Sequence, residues 1–229
     1  MSELLIKNKE VVVPGQILAK GMDFLPAGGT FREDDKIIAL HLGLVSVNGR
    51  LIKLIPLSGV YIPKRDDIII GKVTDMNFNG WFVEIGCAYE AMLSVREATE
   101  FIERGADLAH YYDFGDNISA QILKVTRNKM IDLSMKGPGL RKLIGGKIIN
   151  VTPSKVPRII GKEGSMINLI KEKTGCRITV GQNGRVWLQG TNAENELIAT
   201  EAIMKIEEES HTDGLTDEIQ KFLDKRIKK

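Results

Sequence analysis

Runs with an apolar residue at every second position recur through the first 137 residues, interrupted by turns and by an irregular or helical connection after residue 94, and sustained helical spacing begins beyond residue 150. Before residue 64, 11–18 reads as a strand broken by Pro14 and Gly15. Further strands are expected at 36–41, 44–47 and 51–55, with Asn48 and Gly49 as a hairpin turn. A second set of strand-like runs covers 68–73, 81–86, 90–94, 117–125 and 129–135, with turns at 77–80 and at Arg127 and Asn128. Five short strands with glycine at the bends predict a small closed barrel of the OB type. The alternation points Trp81 and Val83 inward and Phe82 outward.

The last third has a different period. Residues 147–151 read as a strand, and a short helix ends at Ile159 and Ile160. After Gly161-Lys162-Glu163-Gly164, residues Met166, Ile167, Leu169, Ile170 and Lys173 have helical spacing, and Gly175 marks the stop. Strands follow at 177–180 and 185–189 around the turn 181–184. A long helix spans 193–209, with Leu197, Ile198, Ala202, Ile203 and Ile206 on its buried side. The tail repeats Leu215, Ile219, Phe222, Leu223 and Ile227 at helical spacing, so it packs on the preceding module or engages another chain. A Gly-x-x-Gly joint between two helices lets a phosphodiester backbone lie against the peptide, under the N–H groups that open the second helix.

Composition narrows the chemistry. The 229 residues are 43% hydrophobic and 27% charged, as in ordinary globular proteins. A net charge of +2 does not by itself predict a polyanion partner. Residues 141–185, however, hold ten basic side chains against Glu163 and Glu172, a net of +8, and the glycine joint lies inside that stretch. Residues 65–137 hold eight basic against twelve acidic, a net of −4. Cys87 and Cys176 form neither a metal motif nor a disulfide framework, so a reducing cytosol is expected. The amino-terminal residues carry acid early and no long apolar run, which predicts neither a signal peptide nor a membrane span. His41, His110 and His211 lie in three separate regions with no ligand set around them. The Gly-x-x-Gly segment is too short for a nucleotide-hydrolase loop. No catalytic constellation, metal site or cofactor is expected.

The residues R-I-I-G-K-E-G-S-M-I at 158–167, the T-G-C-R-I at 174–178 and the order strand-helix-loop-helix-strand-strand-helix resemble the KH family. G-W-F-V-E-I-G at 80–86, with 114–125 and 127–136, resembles the RNA-binding barrel first described in ribosomal protein S-one. The implied fold is multidomain: a small all-β N-terminal domain at 1–64, an OB-type β-barrel with the S-one motif at 65–137, a linker at 138–146, an α+β KH domain at 147–210 and a helical tail at 211–229. In this order the modules resemble the ribosomal-RNA-processing protein four family, RNA-binding cap subunits of the archaeal RNA exosome. The resemblance implies a cytoplasmic, non-catalytic protein whose partners are single-stranded RNA and RNase-PH-like ring subunits. Three copies would sit on a ring that carries phosphorolytic 3′-to-5′ exoribonuclease activity, with the N-terminal domain docking on it. The implied RNA contacts are Arg158, Ile160, Gly161, Lys162, Gly164 and Ser165 in the KH module, with Lys72, Phe82, Arg127 and Lys129 in the barrel. Asn79 and Ser94 stand where that barrel family has an aromatic and a histidine, and Phe78 lies one residue early. Two alternatives stay open here: a NusA-like elongation factor, which normally carries two KH modules, and a nuclease like polynucleotide phosphorylase, which has KH before the barrel and large catalytic domains.

Overall fold

Alternating apolar residues pair into short, mostly antiparallel strands where Pro or Gly breaks the run. A computed structural model describes residues 2–103, 105–210 and 214–227, divided into two units, Met1–Gly59 and Val60–Lys229. The first unit carries eight strands: Glu3–Leu4 (β1), Val11–Val12 (β2), Ile17–Lys20 (β3), Leu25–Pro26 (β4), Thr30–Glu33 (β5), Lys36–Ala39 (β6), Gly43–Asn48 (β7) and Leu51–Pro56 (β8). They form two four-stranded sheets, in the orders β1-β3-β6-β5 and β2-β7-β8-β4. Val12, Leu18, Ile37, Val45 and Ile52 from both sheets are buried in one core. In β8 the period of two sends Ile52 and Leu54 inward, while Leu51, Lys53 and Ile55 stay in water.

The second unit opens with strands Ile68–Asn77 (β9), Gly80–Glu84 (β10), Ala91–Ser94 (β11), Asn117–Val125 (β12) and Ile131–Ser134 (β13). They run in the order β13-β11-β10-β9-β12, and β12 pairs again with β13, closing a five-stranded barrel. Trp81 and Val83 are fully buried, as the alternation predicts. The Trp81 indole donates to the Tyr112 carbonyl at 2.8 Å and meets the Tyr112 ring edge-on at 4.9 Å, so its one polar atom is satisfied inside the core. Arg141–Leu143 (β14), within the stretch expected as a linker, pairs with β12 and extends the barrel sheet.

After β14 come Lys147–Asn150 (β15), Val156–Ile160 (α1), Ser165–Thr174 (α2), Arg177–Val180 (β16), Arg185–Gln189 (β17), Ala193–Glu208 (α3) and Leu215–Ile227 (α4). The sheet order is β15-β17-β16, antiparallel throughout. Asn192 caps α3 by accepting from the Asn195 N–H at 2.8 Å, and Gly175 ends α2 at φ +66°. The amphipathic tail folds back as α4, burying Leu215, Ile219 and Leu223 in the same core as α2 and α3. His211 lies outside the described residues.

Alternation along β17 gives the KH sheet two apolar faces. Val186 and Leu188 face the helices, whereas Trp187 joins Ile70 of β9 and Leu143 of β14 in a separate small core. The turn 181–184 completes this junction. Asn183 is 6% exposed, and its amide oxygen accepts from the Ile70 N–H at 3.2 Å. Its amide nitrogen donates to the carbonyls of Ile70 at 2.7 Å and Ile85 at 2.9 Å. The Gln182 N–H donates to the Ile68 carbonyl at 2.8 Å. Arg185 pairs with the Glu84 carboxylate and donates to its carbonyl. A side chain at Gly181 would press on the Ile70 nitrogen at 2.8 Å, so glycine is required for this approach. Barrel and KH module are thereby joined by main-chain hydrogen bonding as well as apolar packing.

Candidate nucleic-acid interface

The loop between α1 and α2 is built by glycine geometry. The Gly161 N–H closes α1 on the Pro157 carbonyl at 3.0 Å, and its φ of +76° turns the chain out of the helix. One tight turn follows, with the Gly164 N–H on the Gly161 carbonyl at 3.3 Å. Gly164, at φ +80° and ψ +9°, then starts α2. A Cβ at Gly161 would stand 2.7 Å from the Met166 backbone nitrogen and Cβ, so this glycine is needed for space as well as conformation. At Gly164 the nearest atom lies 3.5 Å away, and conformation alone requires glycine.

This puts the start of α2 at the surface with no side-chain cap and no acidic residue in its first turn. Its first N–H groups, carrying the positive end of the helix dipole, suit an anion there. Lys162, Glu163 and Ser165 are exposed around it, Arg158 is exposed on α1, and Ile160 is half-buried against the module core. The six KH residues expected to contact RNA therefore lie on one short segment from the end of α1 to the start of α2, with the Ile160 side chain turned to the core.

The surrounding charge is smaller than the sequence tally. Lys142 pairs with Asp116, Lys173 with Asp224 at 2.6 Å, and Arg185 with Glu84. Lys155 donates to the Glu207 carbonyl at 2.9 Å, and the Arg141 guanidinium lies 5.5 Å from the Trp187 ring centre. Among the described residues these contacts commit Arg141, Lys142, Lys155, Lys173 and Arg185 to the fold. Lys147, Lys162 and Arg177 remain exposed.

The barrel residues are spread out. Lys72 is exposed on β9 opposite Glu84, and Phe82 is half-buried on β10 opposite Asp75 and Met92. Arg127 and Lys129 occupy the turn from β12 to β13, at the barrel end where the turn 181–184 bonds to Ile68. The Lys129 ammonium lies 5.9 Å from the Tyr89 ring centre. The other end carries a cavity of about 950 Å³ lined by Phe78, Asn79, Met92, Ser94, Arg96 and Phe101, among others. None of Lys72, Phe82, Arg127 and Lys129 lines it. Phe78 and Phe101 are each 89% exposed, so both rings at this cavity present a face to solvent. Phe101 is not marked by the sequence pattern. Its only signal was one aromatic among carboxylates in an irregular connection, a pattern that alternation does not reach.

The KH domain family matches residues 146–205. The exosome complex component Rrp4 of Thermococcus kodakarensis is 47% identical over all of this chain and 90% of its own length. Its counterpart in Pyrococcus abyssi is 46% identical over 99% of this chain and 87% of its own. That of Methanothermobacter thermautotrophicus is 43% identical over 97% and 70%. A crystal structure of a protein assigned as an exosome complex RNA-binding protein superposes with a TM-score of 0.66 at 36% identity, covering 74% of this chain and 98% of that one.

Proposed function

The chain belongs to the Rrp4 family of exosome complex components, and from that premise we propose that it is the RNA-binding cap of an exosome, holding RNA while other subunits degrade it. The reading rests on the loop 161–164. Gly161 and Gly164 allow a phosphate to approach the main chain, the first turn of α2 offers N–H groups, and Lys162 and Arg158 supply charge. A KH groove accommodates about four nucleotides. The barrel offers a second, weaker contact through base stacking, for which Phe78 and Phe101 are better presented than Phe82.

Docking falls to the first unit in this proposal. Val11, Leu44 and Ile55 lie side by side across β2, β7 and β8, and Leu25 lies beside Leu51. Val11, Leu25, Leu51 and Ile55 are each about half exposed, a row of apolar side chains that suits a subunit interface. We take the partners to be RNase-PH-like ring subunits and the stoichiometry to be three caps per ring. The elongation-factor alternative is not favoured, since the chain aligns nearly end to end with Rrp4 relatives.

The test uses the complete assembly. Lys162→Ala combined with Gly164→Asp removes a cation, adds an anion and avoids the crowded Gly161 site. RNA affinity of the assembled complex should fall about tenfold, or 1.4 kcal/mol, with co-purification of all subunits unchanged. Unchanged affinity would sink the clamp assignment.

A further inference from the structure

Glu163 is the one acidic side chain in the loop that the proposed clamp uses. Its backbone lies at φ +54° and ψ +26°, directly before the left-handed Gly164. A residue with a Cβ carries a steric cost in that conformation, and glycine would remove it. Neither Glu163 nor Lys162 forms an ion pair among the described residues, and both are exposed. The carboxylate is therefore not a structural partner for the neighbouring lysine. It stands in water beside an uncapped helix start that would otherwise attract phosphate without opposition.

We propose that Glu163 limits the strength of the phosphate contact, setting the loop for passage of RNA rather than retention. The inference rests on the reading of 161–164 as the clamp. A cap that feeds a processive nuclease must release each phosphate as the strand advances. Any gain in affinity at such a site shows chiefly as a slower off-rate. The effect would compound if several copies held one strand. A negative charge at the clamp shortens each contact and leaves capture to the sum of contacts.

Full-length chain carrying E163Q, E163K or E163G, assembled with its exosome core subunits, tests this with 5′-labelled oligouridine. A single exposed charge interaction predicts about twofold tighter binding for E163Q and about fivefold for E163K. In E163K the slope of log affinity against log salt should steepen by about 0.7, the value for one further phosphate contact on a single strand. E163G should bind like E163Q and raise thermal stability, which separates charge from backbone strain. At saturating RNA, E163K should shorten the strand more slowly than wild type. Wild-type affinity and salt slope in E163Q and E163K, with Gly164→Asp still weakening binding, would overturn the inference and leave the clamp standing. Tighter binding in E163K without slower shortening would overturn it as well. Wild-type binding by every loop variant, Gly164→Asp included, would remove the clamp and this inference together.

Discussion

The Tyr61 hydroxyl donates to the Asp67 carboxylate at 2.6 Å, and the ring is packed into the barrel core. Burial, then the hydrogen bond and charge of Asp67, pushes the phenol well above its ordinary value of 10.0. The unfolded chain therefore loses this proton first as pH rises, and folding becomes less favourable above about pH 10; below that the contribution is complete. Tyr61→Phe should cost about 1 kcal/mol at neutral pH and abolish this alkaline decline, as read from urea midpoints at about pH 8 and about pH 11. At this scale the candidate site was only partly legible. The glycines of the loop announced themselves, because positive φ and close approach demand that residue type. The commitment of Lys142, Lys173 and Arg185 to carboxylates did not, because each partner lies in a distant segment. Summed charge along a sequence cannot separate cations that serve the fold from cations left for a ligand.

Strands and helices were read most reliably where one face is buried. Trp81 and Val83 against Phe82 in β10, or Ile52 and Leu54 against Leu51 and Ile55 in β8, display the period of two that separates core from solvent. β14 escaped notice, since three residues among glycines carry no period and pair only because β12 offers an edge. The outer face of β2, β7 and β8 yields the prediction proper to this scale. Ile55→Glu places a charge amid the row Val11, Leu44 and Ile55 without touching Ile52 or Leu54. Circular dichroism and melting temperature of the isolated chain should stay within error, because exposed substitutions usually shift stability by about 0.5 kcal/mol or less. Co-assembly with ring subunits should weaken by at least about tenfold, as for a charge buried without a partner. Retained assembly would move the docking surface elsewhere.

Across the whole molecule, the KH module was separable in the sequence because helical spacing sets it apart from the alternation before it, but its junction with the barrel was not. The segment 181–184 reads as an ordinary hairpin turn, and nothing local marks Asn183 as the partner of Ile70, 113 positions away. Removing the Asn183 side chain leaves buried groups of Ile70 and Ile85 without their partner, so Asn183→Ala should cost about 3 kcal/mol. The chain has two tryptophans, Trp81 inside the barrel and Trp187 at the junction. In single-tryptophan versions of the parent the two signals should change at one denaturant concentration. With Asn183→Ala, Trp187 should respond first; coincident transitions would show that apolar packing alone couples the modules. The junction also bears on force. In the proposed clamp, a strand drawn away by a nuclease would pull on the loop between α1 and α2, and that tension would have to leave the KH module somewhere. Hydrogen bonds from 182, 183 and 185 to 68, 70, 84 and 85 anchor the KH sheet to the barrel at several points. Load applied at the proposed clamp would thus pass through these bonds into the barrel wall rather than onto the KH module alone.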